Sequence, residues 1–177
     1  SIDATKLSGA LPAIDGSALT GVGKVLQFIP VPLNTTNVTT TVNANLQNWS
    51  SWPTLISKQV TPLSNNSVFL INFQTNMSGF EGTGGPQFGI FSTKNGVLDI
   101  ALPVSGRTSN MESMGLWYTG TSFSNRWVPV SFTGEVQNDS LNTFTIDARL
   151  ASEQGATVKA NSDRYGPAYM NILEIAN

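Results

Sequence analysis

Residues 141–150 read Leu-Asn-Thr-Phe-Thr-Ile-Asp-Ala-Arg-Leu, and this stretch decides the fold class. Phe144, Ile146 and Ala148 fall on one parity, Thr145, Asp147 and Arg149 on the other. A period of two sends alternate side chains to opposite faces of an extended strand, whereas a helix would scatter them around its axis. The expectation is a β-strand whose apolar parity enters a core and whose Asp147 faces solvent. Just upstream, Gln137-Asn138-Asp139-Ser140 is a run of turn-forming residues that separates this strand from the one before it.

The same reading extends outward in both directions. In Ser67–Thr75, Phe69, Ile71 and Phe73 alternate with Val68, Leu70 and Asn72. That strand is apolar on both faces in places, as expected between a sheet core and a further surface. Other extended runs are Val25–Pro30, Val38–Ala44, Thr54–Thr61, Gln87–Ser92, Val97–Pro103, Met114–Thr119, Arg126–Thr133, Ala156–Ala160 and Ala168–Ala176. Asn95-Gly96 is the strongest hairpin signal, because both residues accept positive φ in a type I′ turn. No segment carries a capped helical repeat, although Leu46–Trp52 has room for one short helical turn. Many short strands in one run of residues 25–177 predict an all-β fold, an antiparallel β-sandwich of jelly-roll-like kind.

Composition narrows the chemistry. Ser, Thr and Asn supply 55 of the 177 residues, while charged residues make up only 11%. The surface is therefore solvated mainly by hydroxyls and amides, side chains that compete with helical backbone and favour turns and strands. With no Cys and no His, the chain has no disulfide, no Cys/His zinc site and no Ser-His or Cys-His pair. No cofactor and no metal are expected. A formal net charge of −2 disfavours nucleic acid and anionic membranes, and no apolar run approaches the ~20 residues that span a bilayer. The first residues show no signal-peptide pattern, and opening on Ser1 rather than Met fits a fragment or a processed product.

Residues 1–24 are a different kind of sequence. Shifted by twelve, Ile2-Asp3-Ala4-Thr5-Lys6-Leu7-Ser8-Gly9 aligns with Ile14-Asp15-Gly16-Ser17-Ala18-Leu19-Thr20-Gly21, with Ile, Asp, Leu and Gly identical. Two such units carry too few apolar side chains to bury a core alone. Association of parallel chains solves this, with Ile2, Leu7, Leu11, Ile14 and Leu19 meeting at a common axis and Asp and Lys facing water. The expected organisation is a stalk of two 12-residue units, 1–24, and a head, 25–177.

The string from Asp3 to Gly21 resembles the shaft-to-head repeat of tailed-bacteriophage fibre proteins. The resemblance covers only the stalk. It implies a virion fibre in which a thin homotrimeric shaft precedes a β-rich head. Its partners would be upstream fibre or virion proteins and a host cell-surface glycan or protein, and its location extracellular, on the particle.

Candidate receptor-binding residues follow from the mixture of aromatic rings with amides and guanidinium groups, which suits sugar faces and protein hot spots. Residues 107–127 hold Arg107, Trp117, Tyr118, Phe123, Arg126 and Trp127, and a second group is Trp49 and Trp52 beside Asn48 and Ser50. The apolar C-terminal run predicts a terminus tied into the core or a subunit contact, with Tyr169, Ile172 and Leu173 as trimerisation candidates. The carboxylates form no spaced catalytic pair, Asp147 and Glu174 are expected in solvent, and the chain is not expected to be an enzyme. A glycan-binding head is the leading expectation. Its rivals are a structural cap that trimerises the fibre without binding and, more distantly, a polysaccharide-degrading spike.

Overall fold

The computed structural model describes residues 24–42, 49–78, 86–101, 105–106, 112–113, 115–116, 127–152, 155, 157–160 and 166–177. Its strands are β1 (Val25–Asn34), β2 (Val38–Thr40), β3 (Thr54–Val60), β4 (Ser67–Ser78), β5 (Pro86–Lys94), β6 (Val97–Ile100), β7 (Ser105–Gly106), β8 (Glu112–Ser113), β9 (Gly115–Leu116), β10 (Trp127–Asn138), β11 (Phe144–Ser152), β12 (Val158–Ala160) and β13 (Ala168–Ala176). The described residues contain no α-helix; the helical turn expected near Leu46–Trp52 is a single 3-10 turn at Trp49–Ser51.

All pairings among the described residues are antiparallel; apart from the short β7–β8 pair, which stands as a separate two-stranded sheet, they fall into two layers. In the first sheet β13 lies between β1 and β4, and β10 covers the far edge of β4. In the second, β11 lies between β3 and β5, with β6 and β9 along the far edge of β5. Three of the lines are interrupted strands. β12 and β2 continue the lines of β13 and β1 past the end of β4, and β9 continues the line of β6. Taken as continuous lines these make eight strands, ordered 1-8-3-6 in one sheet and 2-7-4-5 in the other. That order is the jelly roll, two Greek keys wound into a sandwich.

Alternation explains the core. Phe69, Ile71, Phe73 and Met77 of β4 face Phe88 and Ile90 of β5 and Phe144, Ile146 and Leu150 of β11 across the sandwich. Phe69 meets Phe144 edge-on with ring centroids 5.2 Å apart. Burying each such side chain contributes roughly 1.5–3 kcal/mol. At the β5–β6 hairpin Asn95 (φ 50°) and Gly96 (φ 80°) adopt the two positive φ values of the expected turn.

The break between β12 and β13 also has a local cause. Between the pairs Ala160–Met77 and Tyr169–Gln74, β4 advances three residues while its partner advances nine. Gly166 re-enters the ladder at φ 133°, and a Cβ there would collide with the Asn76 amide.

The C-terminal strand is tied into the chain's own core. Met170 and Ile172 are fully buried, and the main-chain N–H of Ala176 donates to the Lys24 carbonyl at 2.9 Å. Ile172 therefore spends its side chain inside its own sandwich and offers no face to another subunit, a correction to its listing among contact residues above. Tyr169 and Leu173 take the opposite parity and face outward.

Candidate functional site

The outer face of the second sheet carries one of the two predicted aromatic groups. The main-chain N–H of Trp52 donates to the Trp49 carbonyl at 3.2 Å, closing the turn that lays both indoles over β5. Phe91 is their platform, with centroids 5.7 Å from Trp49 and 5.6 Å from Trp52, the latter edge-on. A Cβ at Gly89 would run into the Phe91 ring, so the missing side chain makes room for it. Arg149 locks the arrangement from β11. Its Nη1 donates to the Trp49 carbonyl at 3.0 Å, its Nη2 to Asp147 Oδ2 at 2.8 Å, and its guanidinium lies 5.7 Å from the Phe91 centroid.

Two expectations change here. Trp52 is 2% exposed and packs with Phe91 and Ala151, so it belongs to a small second core rather than to an open binding surface. Trp49 is half-buried and keeps part of its ring accessible. Asp147 is not in solvent. The turn covers its face of the sheet, and a carboxylate so enclosed is stable because Arg149 pairs with it.

Glu174 is the second carboxylate expected in water and found inside. It is fully buried at one end of the sandwich. Gln27 Nε2 donates to it at 2.5 Å, Ser67 Oγ at 2.8 Å, and the backbone N–H groups of Leu63 and Ser64 at 3.0 and 3.2 Å. Burial pushes its carboxyl upward, but the donors from Gln27, Leu63, Ser67 and Ser64 outweigh that and hold it below the ordinary range. Beside it, Asn138 Nδ2 donates to the Ser64 and Ser140 carbonyls at 2.7 and 2.8 Å. This cluster is structural: it ties the β3–β4 and β10–β11 connections to the last strand.

A cleft of about 390 Å³ opens where the edge strands β6 and β10 of the two sheets stand opposite one another. Ser92, Ala101 and Val136, all buried, form its floor, and exposed Val97 is an apolar lip. Asp99 lines it from β6 and Glu135 from β10. Lys94 crosses between the sheets, donating to the Gln137 carbonyl and lying 5.1 Å from the Phe144 centroid. Gln137 Nε2 in turn donates to Glu135 Oε1. In a chain with only nine basic and eleven acidic residues, three charges around one cleft are a concentration. Carboxylates that accept, an ammonium and an amide that donate, and an apolar lip are the groups that hydrogen-bond and pack a polyhydroxylated ligand. A second hollow of about 410 Å³ beside Tyr169, Gln74 and Ser131 is lined, among the described residues, by uncharged side chains.

None of the cleft's residues stood out in the sequence. The available signal was the hairpin turn at Asn95-Gly96, which fixes the parity of Asp99; its nearness to Glu135 depends on two sheets meeting edge to edge. Of the predicted receptor residues, Trp127 begins β10, half-buried and paired with Ser78. Arg107, Trp117, Tyr118, Phe123 and Arg126 lie outside the described residues, as do Ile2, Leu7, Leu11, Ile14 and Leu19 of the stalk.

No protein-family model and no curated protein sequence matches the chain. Among solved structures it is similar to the EclA C-terminal domain, described as a sugar-binding protein, with a TM-score of 0.36 and 10% identity over 79% of this chain and 80% of that one. It is also similar to a structure of infectious bursal disease virus, Gx strain, with a TM-score of 0.38 and 8% identity over 89% of this chain and 37% of that one. Likenesses this slight carry neither neighbour's ligand nor its assembly over to this chain.

Proposed function

We propose that residues 25–177 are the head of a virion fibre, carried as a homotrimer on the stalk repeat of residues 1–24, and that the head attaches non-covalently to a host-surface glycan. The observation that carries the glycan reading is the cleft between β6 and β10, where Asp99, Glu135, Lys94 and Gln137 offer acceptors and donors around an apolar lip. The stalk and the trimer rest on the twelve-residue repeat and its resemblance to phage shaft sequences. Linked weak sites gain roughly 10²- to 10⁴-fold in avidity without new contacts, so a shallow cleft on each head is sufficient for adhesion. The aromatic Trp117, Tyr118, Phe123 and Trp127 and the guanidinium groups of Arg107 and Arg126 remain proposed receptor contacts, and Trp49 a lesser one.

The test is a glycan screen of the purified chain, run beside an assay for new reducing ends. The reading expects binding with the glycan left intact. Release of reducing ends would replace it with a degrading spike. No glycan binding by an intact trimer would favour the structural cap, in which the head closes the fibre and another protein touches the host.

A further inference from the structure

We infer that the outer face of the first sheet, around Phe28, Leu70 and Leu173, is the surface through which the head packs against two further copies of itself about the stalk axis. The inference rests on the trimeric-stalk reading above and adds to it the place where heads meet.

Strand register lays the patch out. Residues directly opposite one another on antiparallel strands share a face. Val25 is opposite Ile175, which is opposite Val68; Phe28 is opposite Leu173, which is opposite Leu70. These two rows place six apolar side chains side by side across three strands. Val25 is 53% exposed, Phe28 56% and Leu70 36%. Scattered exposed apolar residues need no explanation, but a contiguous set on one sheet face does. The rows stay uncharged as far as Glu135, which is opposite Leu70 on β10. The next row on the same face is neutral amide, Asn171 opposite Asn72. An apolar centre depleted of charge, with a polar rim of the Asn171 and Asn72 amides on one side and Glu135 at one end, is the composition of a subunit interface.

Where the chain enters the head identifies the occupant. The repeat ends at Lys24, whose carbonyl is bonded to Ala176, and Val25 is both the next residue and the first of the patch. Three stalks joined on an axis bring three copies of this corner together. Six side chains a copy fall well short of the roughly 20–30 residues a side used by free-standing interfaces. Tethering supplies the difference, because a short linker sets an effective concentration of about millimolar. An untethered partner protein has no such help on so small a patch. Edge-to-edge pairing is also blocked at this corner. β1 is the edge at the stalk junction, β10 being the other, and Pro30 and Pro32 remove donors that an added strand would need on β1, so copies brought together at that corner meet face-on.

The chain has no Cys, so single thiols can be placed at will. The experiment treats full-length Phe28→Cys, Leu70→Cys and, as a control on the other sheet, Val97→Cys (Val97 is 67% exposed) with a short bis-maleimide. Sedimentation equilibrium gives each variant's mass. Phe28→Cys or Leu70→Cys should yield covalent dimers, at most two of every three chains, while Val97→Cys stays uncrosslinked. Leu70→Lys should weaken association at least tenfold with its melting transition retained. A stable trimer in which neither Phe28→Cys nor Leu70→Cys crosslinks more than Val97→Cys overturns the inference and leaves the trimeric stalk standing. A wild-type chain that sediments as a monomer overturns both.

Discussion

Glu174 offers the sharpest test of how the sandwich is closed. Replacing it with Ala removes the acceptor of four donors: Gln27, Leu63, Ser64 and Ser67. The Gln27 amide and the Ser67 hydroxyl can turn to other partners, and Gln27 already donates to the Thr61 carbonyl at 2.9 Å. The two backbone N–H groups cannot turn. Losing the acceptor at each costs about 1–3 kcal/mol, so Glu174→Ala should destabilise by about 2–6 kcal/mol. Glu174→Gln keeps one oxygen and the side chain's shape and should cost about 1–2 kcal/mol. In a domain of this size the Ala variant's melting temperature should fall by roughly 4–24 °C. The assay is urea unfolding followed by Trp fluorescence.

The pH dependence has a fixed sign. The carboxyl is held below its ordinary value of 4.5, so its contribution is complete above 4.5 and is lost as pH falls through the lower folded-state value. The stability difference between wild type and Glu174→Gln should therefore hold constant from pH 6 to about 4.5 and shrink from there toward pH 3. A Glu174→Ala protein within about 0.5 kcal/mol of wild type, or a difference from Glu174→Gln that is flat across that range, would refute the reasoning.

Two further substitutions probe the backbone and the second core. Gly166→Ala should destabilise far more than Gly96→Ala, because the first meets the Asn76 amide whereas the second has open space and suffers only its positive φ, about 1 kcal/mol; equal unfolding midpoints for the two would count against this. Arg149→Met leaves Asp147 enclosed without its cation and frees the Trp49 carbonyl, a loss of about 3–5 kcal/mol by analogy with other broken buried pairs. Loss of the turn should also shift Trp emission to the red, and unchanged emission with unchanged stability would contradict the role given to Arg149.

What the sequence disclosed and withheld follows one physical line. Alternation at Phe144, Ile146 and Ala148, the Asn95-Gly96 turn and the anchored C-terminal strand are local patterns, and each reappears in the sandwich. The parity rule also says which face of a strand a residue takes, but not what covers that face. That is why Asp147 and Trp52 are inside: the Trp49–Ser51 turn folds back over the second sheet, and strand periodicity carries no record of it. Glu174 is inside because a distant connection, Leu63–Ser64, supplies the donors that make burial tolerable. The cleft is less legible still. Asp99 and Glu135 come together only because β6 and β10 are edges of different sheets, a consequence of the jelly-roll winding.

The first sheet's outer face and the edge cleft adjoin along β10, where Glu135 is opposite Leu70 and Gln137 opposite Val68, while Lys94, Val97 and Asp99 line the cleft from the second sheet. One surface can serve assembly while the other serves attachment. Substitution of Asp99, on the second sheet, should leave the trimer's mass unchanged, and substitution of Leu173, on the side of β4 away from Glu135, should leave each head's intrinsic affinity unchanged while lowering its avidity.

The central claim is that the head holds a glycan in the cleft between β6 and β10. Its most direct measurement is titration calorimetry of the glycan retained in the screen against wild type and the Asp99→Asn, Glu135→Gln double variant, both at the same trimer mass. The account predicts affinity at least tenfold weaker in the double variant. Equal affinities would contradict it.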